Sequence, residues 1–205
     1  MRPIAKVAMA MLTATVTLTL FIGQASARNI SQSEQGFEAI WASLEFTGAF
    51  GTTRCAITLL GEFHNRTFAK VARALVGLIR HTDPPRLQER CTNGTARVLT
   101  ETLPWHLTYE GFTGTLPNIT SVTYLVLRAA FSIREPAFGV TCLGATSSTN
   151  PARMTATRNT STRAITSVTI RGTFPTSCGA NVTLSSPPGP FKNLLMTSDI
   201  LVTLI

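Results

Sequence analysis

Aromatic rings, acidic side chains and long apolar runs are all scarce in this chain, and each scarcity removes a class of protein. Two tryptophans and two tyrosines are too few to form the aromatic girdles that rim a membrane-spanning β-barrel. Beyond the N-terminal region no apolar run approaches the roughly 20 residues of a transmembrane helix. The short signatures of well-known chemistries are missing as well: G-x-S-x-G, H-E-x-x-H, the P-loop, G-x-G-x-x-G and the D-x-D-x-D calcium loop. No two cysteines have C-x-x-C spacing, which leaves neither a redox pair nor a zinc site to propose. The sequence therefore offers no catalytic residue, no metal ligand and no cofactor site.

What is present begins with an export signal. Arg2 and Lys6 form a basic start, Val7 to Ile22 an uncharged and largely apolar run, and Ala25-Ser26-Ala27 a small-residue cleavage site. Cleavage after Ala27 leaves residues 28–205, a length suited to one domain with a sizeable core. The expected location is secreted or extracellular, with the cell envelope included. Removing residues 1–27 leaves 16 basic against 10 acidic side chains, a net charge of about +6. The excess is dispersed, with Arg54, Arg66, Arg73, Arg97, Arg128, Arg153, Arg163 and Arg171 far apart in sequence. Nucleic-acid binders gather their cations on one face to displace counterions, so no nucleic-acid partner is expected. Long-range attraction to an anionic cell-envelope polymer fits the dispersed charge better.

Cys55, Cys91, Cys142 and Cys178 are an even set in an exported chain, and disulfides are the default. Three pairings exist. The equal separations, 36 residues from Cys55 to Cys91 and 36 from Cys142 to Cys178, favour those two local bonds. Each would contribute on the order of 3 to 4 kcal/mol by closing its loop in the unfolded chain.

The stretch from Thr100 to Arg134 organises the rest, with strands expected at Arg97–Leu103, Trp105–Thr113 and Ile119–Ile133. The last is apolar on both faces in its middle, as a covered strand would be. Upstream, Ile40, Ala42, Leu44 and Phe46 alternate with Trp41, Ser43, Glu45 and Thr47, and Gly48 to Thr52 turns the chain into a second strand, Thr53–Gly61. Downstream, strands are expected at Gly139–Leu143, Met154–Arg158, Ala164–Phe174, Ala180–Leu184 and Leu194–Ile205. Between Asn65 and Ile79 the period changes: Phe68, Val71, Ala72, Leu75, Val76 and Ile79 follow helical spacing opposite Arg66, Lys70 and Arg73. The predicted fold is mainly β: a single antiparallel β-sandwich or barrel with one amphipathic α-helix packed on it.

Candidate sites are few. Trp105, Leu107 and Tyr109 share one strand face, either a platform for sugar rings or a core face with two large anchors. Trp105 and Tyr109 are the ligand-binding candidates. His106 with Glu110, and Glu62 with His64, each place an imidazole and a carboxylate on one face, the minimum for general acid–base work. Polar strand faces produce such pairs routinely. The segments Thr102-Leu103-Pro104-Trp105-His106 and Phe112-Thr113-Gly114-Thr115-Leu116-Pro117-Asn118-Ile119-Thr120, with Asn150-Pro151-Ala152, resemble a group of secreted proteins from high-GC, actinobacterial-type bacteria. That resemblance implies export and brings no activity, ligand or site residue with it. The function expected is a secreted, non-catalytic envelope-associated or extracellular binding module. The alternatives are an extracellular hydrolase with an unrecognised site, which convergence of Glu62, His64, His106 and Glu110 in a cleft would favour, or a barrel holding a small apolar ligand.

Overall fold

A computed structural model describes residues 29–49, 51–83, 91–135 and 139–205. The expected signal peptide, residues 1–27, lies outside the described residues. In chain order, β1 (Asn29–Gln32) precedes a long hairpin, β2 (Gly36–Gly48) and β3 (Gly51–Phe63), and β4 (Thr67–Ala69) leads to β5 (Leu75–Asp83). Next, β6 (Cys91–Thr92) and β7 (Thr95–Val98) lead to a second hairpin, β8 (Trp105–Thr115) and β9 (Asn118–Leu127), and a third, β10 (Ala130–Glu135) and β11 (Val140–Ala145). The chain finishes with β12 (Ala152–Arg158), β13 (Ile165–Pro175), β14 (Asn181–Ser185), β15 (Phe191–Lys192) and β16 (Val202–Leu204).

Eight of these form a ring. Strands β2, β3, β5, β8, β9, β12, β13 and β14 pair with their neighbours in sequence order, always antiparallel, and β14 returns to β2 through Leu184↔Phe46. Closure leaves the wall no free edge, which satisfies backbone groups that an open sheet would present to solvent. Eight strands enclose an interior just wide enough for side chains. Trp41, Trp105, Tyr124, Phe37, Phe46 and Phe63 fill it, and the Trp41 indole N–H donates across the interior to the Val168 carbonyl at 2.9 Å. The alternation in β2 is reset by a bulge between Trp41 and Leu44, so Phe37, Ala39 and Trp41 point inward together with Leu44 and Phe46. Strict alternation from Ile40 to Phe46 had put Trp41 on the opposite face.

Small sheets close both ends. Strands β7, β10 and β11 cover the end at which β8 begins, and Phe131 of β10 reaches Phe46 (5.0 Å between ring centroids), Trp105 (5.5 Å) and Phe174 (6.0 Å). At the opposite end β16, β1 and β4 form the second cap, with Phe68 against Phe63, Tyr109 and Tyr124. Beneath that cap, the buried Arg158 guanidinium donates to the carbonyls of Ile119 and Val202, both at 2.8 Å. Burial, with Arg163 nearby, lowers its pKa from the ordinary arginine range.

The two disulfides are Cys55–Cys91 and Cys142–Cys178, as the equal spacing favoured. The first ties β6 to the barrel wall and the second ties the β10–β11 cap to the β13–β14 turn. Both are consistent with an oxidising extracellular compartment.

The expected helix is absent. Asn65 to Ile79 folds instead as β4, a turn at 70–74 with Arg73 at φ 66°, and the start of β5. Leu75, placed on the buried face by helical spacing, is exposed, while Val76 and Ile79 point inward. The cause is tertiary: without β5, the facing edges of β3 and β8 would lose their partners, and this demand outweighs a local periodicity that both structures tolerate. Likewise the long strand Ile119–Ile133 is two strands. Arg128, at φ 68°, breaks it and redirects the chain into the cap. The expected Arg97–Leu103 strand ends at Val98, before a 3₁₀ turn at Thr100–Thr102, and of Leu194–Ile205 only Val202–Leu204 pairs as a strand.

Candidate functional site

On β12 and β13 the inward residues other than Arg158 are apolar, and the outward ones are mostly arginine, threonine and serine. Met154 and Ala156 point inward and Arg153, Thr155 and Thr157 outward; Val168 and Ile170 point inward and Ser167, Thr169 and Arg171 outward. The register then sets Arg153 directly opposite Arg171. Like charges facing each other across a ladder destabilise it. At roughly 5 Å in water the repulsion is about 0.8 kcal/mol before salt screening. Folding does not require this pair, since threonines occupy the equivalent positions one step along, Thr155↔Thr169.

One carboxylate reaches the pair. Glu110, on β8, accepts from Arg153 Nε with both oxygens, at 2.9 and 3.1 Å. Arg171 has no carboxylate partner among the described residues. A third cation arrives from the β4–β5 turn, where Arg73 Nη1 donates to the Ser148 carbonyl at 3.3 Å. The loop from Ser147 to Pro151 forms the wall. It is braced by the Ser147 N–H donating to the Asn150 carbonyl and the Asn150 N–H donating to Ser147 Oγ, and the outward-facing Leu125 is buried.

Two hollows result, of about 390 Å³ and 460 Å³. The first is lined by Arg73, Glu110, Leu125 and Ser148, the second by Arg171, Thr173, Thr183 and Ser185; Thr149, Pro151 and Arg153 line both. They are therefore two lobes of one surface groove with three guanidinium groups and many hydroxyls. A guanidinium presents a fork of donors matched to carboxylate and phosphate oxygens, and hydroxyls both donate to and accept from a polyol. The groove therefore presents donors suited to anionic oxygens and to hydroxyl groups. No histidine or cysteine lines it, and among the described residues no group of three His, Cys, Asp or Glu could hold a metal ion. A separate apolar cleft beside Cys142–Cys178 encloses about 20 Å³, room for one water.

Trp105 and Tyr109 lie elsewhere. Both are buried in the barrel interior, Trp105 against Phe131 with its indole N–H donating to Thr102 Oγ1 at 2.9 Å, Tyr109 against Phe68. Burial raises the Tyr109 phenol, and neither ring turns an open face to solvent. The acid–base pairs do not assemble either. Glu62 accepts from Arg80 Nε at 2.7 Å and Glu110 from Arg153, while His106 lies 3.5 Å from Arg128. The groove is not legible in the sequence, because Arg153 and Arg171 meet only through the β12–β13 register and Arg73 only through a turn whose residues have helical spacing. The available signal was the repeated arginine-x-threonine and serine-x-threonine alternation on adjacent strands. No protein-family model, no curated protein and no solved structure matches this chain.

Proposed function

We propose that the chain is an exported, non-catalytic binding module of the cell envelope, and that the groove around Arg153 and Arg171 takes an anionic polymer. The observation that carries this is the pair of facing arginines, only one of which has a carboxylate partner among the described residues. Bound anion would relieve their repulsion. Arg73, Arg153 and Arg171 are spread along two lobes, which suits a chain with repeated negative charges better than a single small anion. The hydroxyl rows, including Thr173 and Thr183 at 3.3 Å, suit a sugar or polyol backbone. Filled barrel space, by contrast, lends no support to an interior apolar ligand.

Calorimetric titration with polygalacturonate, polyglycerol phosphate and neutral dextran tests the proposal. Binding is expected to the two anionic polymers and not to dextran, and it should weaken as salt screens the guanidinium groups. Arg153→Gln and Arg171→Gln should each cost about tenfold or more in affinity, the equivalent of one lost charge-assisted contact. Arg80→Gln, on the other side of the barrel, should change little. Absence of binding to both anionic polymers, or equal losses in all three variants, would refute the groove as the site.

A further inference from the structure

A second surface carries information that the groove does not use. Among the described residues, six of the ten exposed large hydrophobic side chains, Val71, Leu194, Leu195, Met196, Leu201 and Ile205, lie at the end of the barrel capped by β1, β4 and β16. Topology fixes this placement. Leu201 precedes β16 and pairs with Ala164, Ile205 exchanges hydrogen bonds with Asn29 at the start of β1, and Val71 follows β4.

The most exposed of them, Leu195 at 78 %, is held out by a braced turn. Asn193 Oδ1 accepts from the backbone N–H groups of Thr197 at 3.0 Å and Ser198 at 3.3 Å, and the Asn193 carbonyl accepts from the Met196 N–H at 2.9 Å. Met196 takes φ 55°, a conformation that costs a non-glycine residue energy. Leu194 anchors the base, lying so close to Gly36 that a Cβ there would fall 2.4 Å from Leu194 Cδ1. A polar framework thus fixes an apolar tip in water, where the Leu195 side chain gains nothing.

Cations surround this end. Lys192 pairs with Asp199 and Arg66 with Glu34, while Lys70 and Arg163 have no carboxylate partner among the described residues. Between the apolar residues the outward positions of the cap are hydroxyl-bearing: Ser31, Thr67 and Thr203. A tip of three side chains is too small for a stable protein interface, which needs about 800 Å² from each partner. It matches the interfacial zone of a bilayer, where apolar side chains sink about 5–10 Å among headgroups and nearby cations meet anionic lipid.

We infer that the β1–β4–β16 end docks on an anionic lipid bilayer, with Leu195 and its neighbours inserted and Lys70 and Arg163 facing headgroup phosphates. The docking surface adjoins the groove only at the β4–β5 turn, which carries Lys70 and Val71 as well as Arg73; Arg153 and Arg171 lie on the flank of the barrel.

The test is co-sedimentation with vesicles of phosphatidylglycerol and phosphatidylcholine, and with phosphatidylcholine alone. It uses the processed protein, its N-terminus verified by intact mass, so that the run from Val7 to Ile22 is not what binds lipid. Binding to the anionic vesicles should exceed binding to the neutral ones. Leu195→Asp should reduce it about tenfold or more, the loss expected for one leucine withdrawn from an apolar phase. Leu143→Asp at the other end and Arg171→Gln in the groove should leave it unchanged, which separates this surface from the polymer site. In Leu195→Trp the indole emission should shift to the blue on adding anionic vesicles. Unchanged vesicle binding in Leu195→Asp, an equal loss in Leu143→Asp, or no blue shift would overturn the inference. So would a dimer that Leu195→Asp dissociates without any binding to vesicles.

Discussion

Gly77→Ala separates the barrel from the helix that sequence periodicity suggests, because the two structures give opposite signs. In a helix spanning Asn65 to Ile79 this change would stabilise by about 0.8–1 kcal/mol, the propensity difference between the two residues. In the barrel Gly77 sits between Phe63 of β3 and Leu107 of β8. A Cβ at that position would lie 2.5 Å from the Glu62 carbonyl oxygen and 3.1 Å from Phe63 Cα. Both are backbone atoms of a neighbouring strand and cannot rotate aside, so β3 and β5 must separate locally. Overpacking of this kind costs about 1–3 kcal/mol. For a domain of this size that lowers Tm by about 2–12 °C. Thermal unfolding followed by far-UV circular dichroism, with disulfides intact, measures it. Leu75→Ala is the companion: helical packing would make it cost about 2–5 kcal/mol, whereas the exposed side chain in β5 should cost less than about 0.5 kcal/mol. A Tm raised by Gly77→Ala together with a large loss in Leu75→Ala would refute the β5 assignment and with it the closed ring.

Two further outcomes follow from the cross-links and the buried phenol. Replacing Cys142 and Cys178 together by alanine should cost about 4 kcal/mol by the loop-entropy estimate for 36 residues, seen as a lower urea midpoint, and peptide mapping without reduction should recover only the Cys55–Cys91 link. Tyr124, fully buried and accepting a hydrogen bond from Gln32 Nε2 at 2.8 Å, has its phenol raised well above the ordinary value by burial first and by Tyr109 second. The unfolded chain releases that proton near pH 10 and the folded one holds it, so stability is intact below about pH 10 and falls by about 1.4 kcal/mol per pH unit above it. Absorbance at 295 nm should show no Tyr124 phenolate before cooperative unfolding, and a smooth non-cooperative titration would contradict its burial.

Much of the fold was legible because strand periodicity is local. Met154 and Ala156, alternating with Arg153, Thr155 and Thr157, announce which way β12 faces without any partner in view. The equal spacing of the cysteines carried the disulfides. What failed was set by contacts distant in sequence. The bulge after Trp41 exists because Trp41, Leu44 and Phe46 all gain from the same interior, and no pattern within β2 announces it. Arg128 ends a strand through a backbone conformation that only the cap explains: its N–H donates to the Thr146 carbonyl at 3.1 Å. For Phe68, Val71, Leu75 and Ile79, helical and extended structures bury overlapping subsets, and the vacancy between β3 and β8 decides. The groove was hidden for the same reason, as registry on a closed ring creates it.

The most direct measurement is an amide chemical-shift titration of the folded, isotopically labelled protein with a short galacturonate oligomer. Shifts are expected to concentrate at Arg73, Glu110, Thr149, Arg153, Arg171 and Thr183, to saturate together with one apparent Kd, and to shrink on raising salt. Shifts gathered instead at the capped end around Leu195, scattered over the dispersed arginines without saturation, or missing altogether would contradict an anionic-polymer site in the Arg153–Arg171 groove.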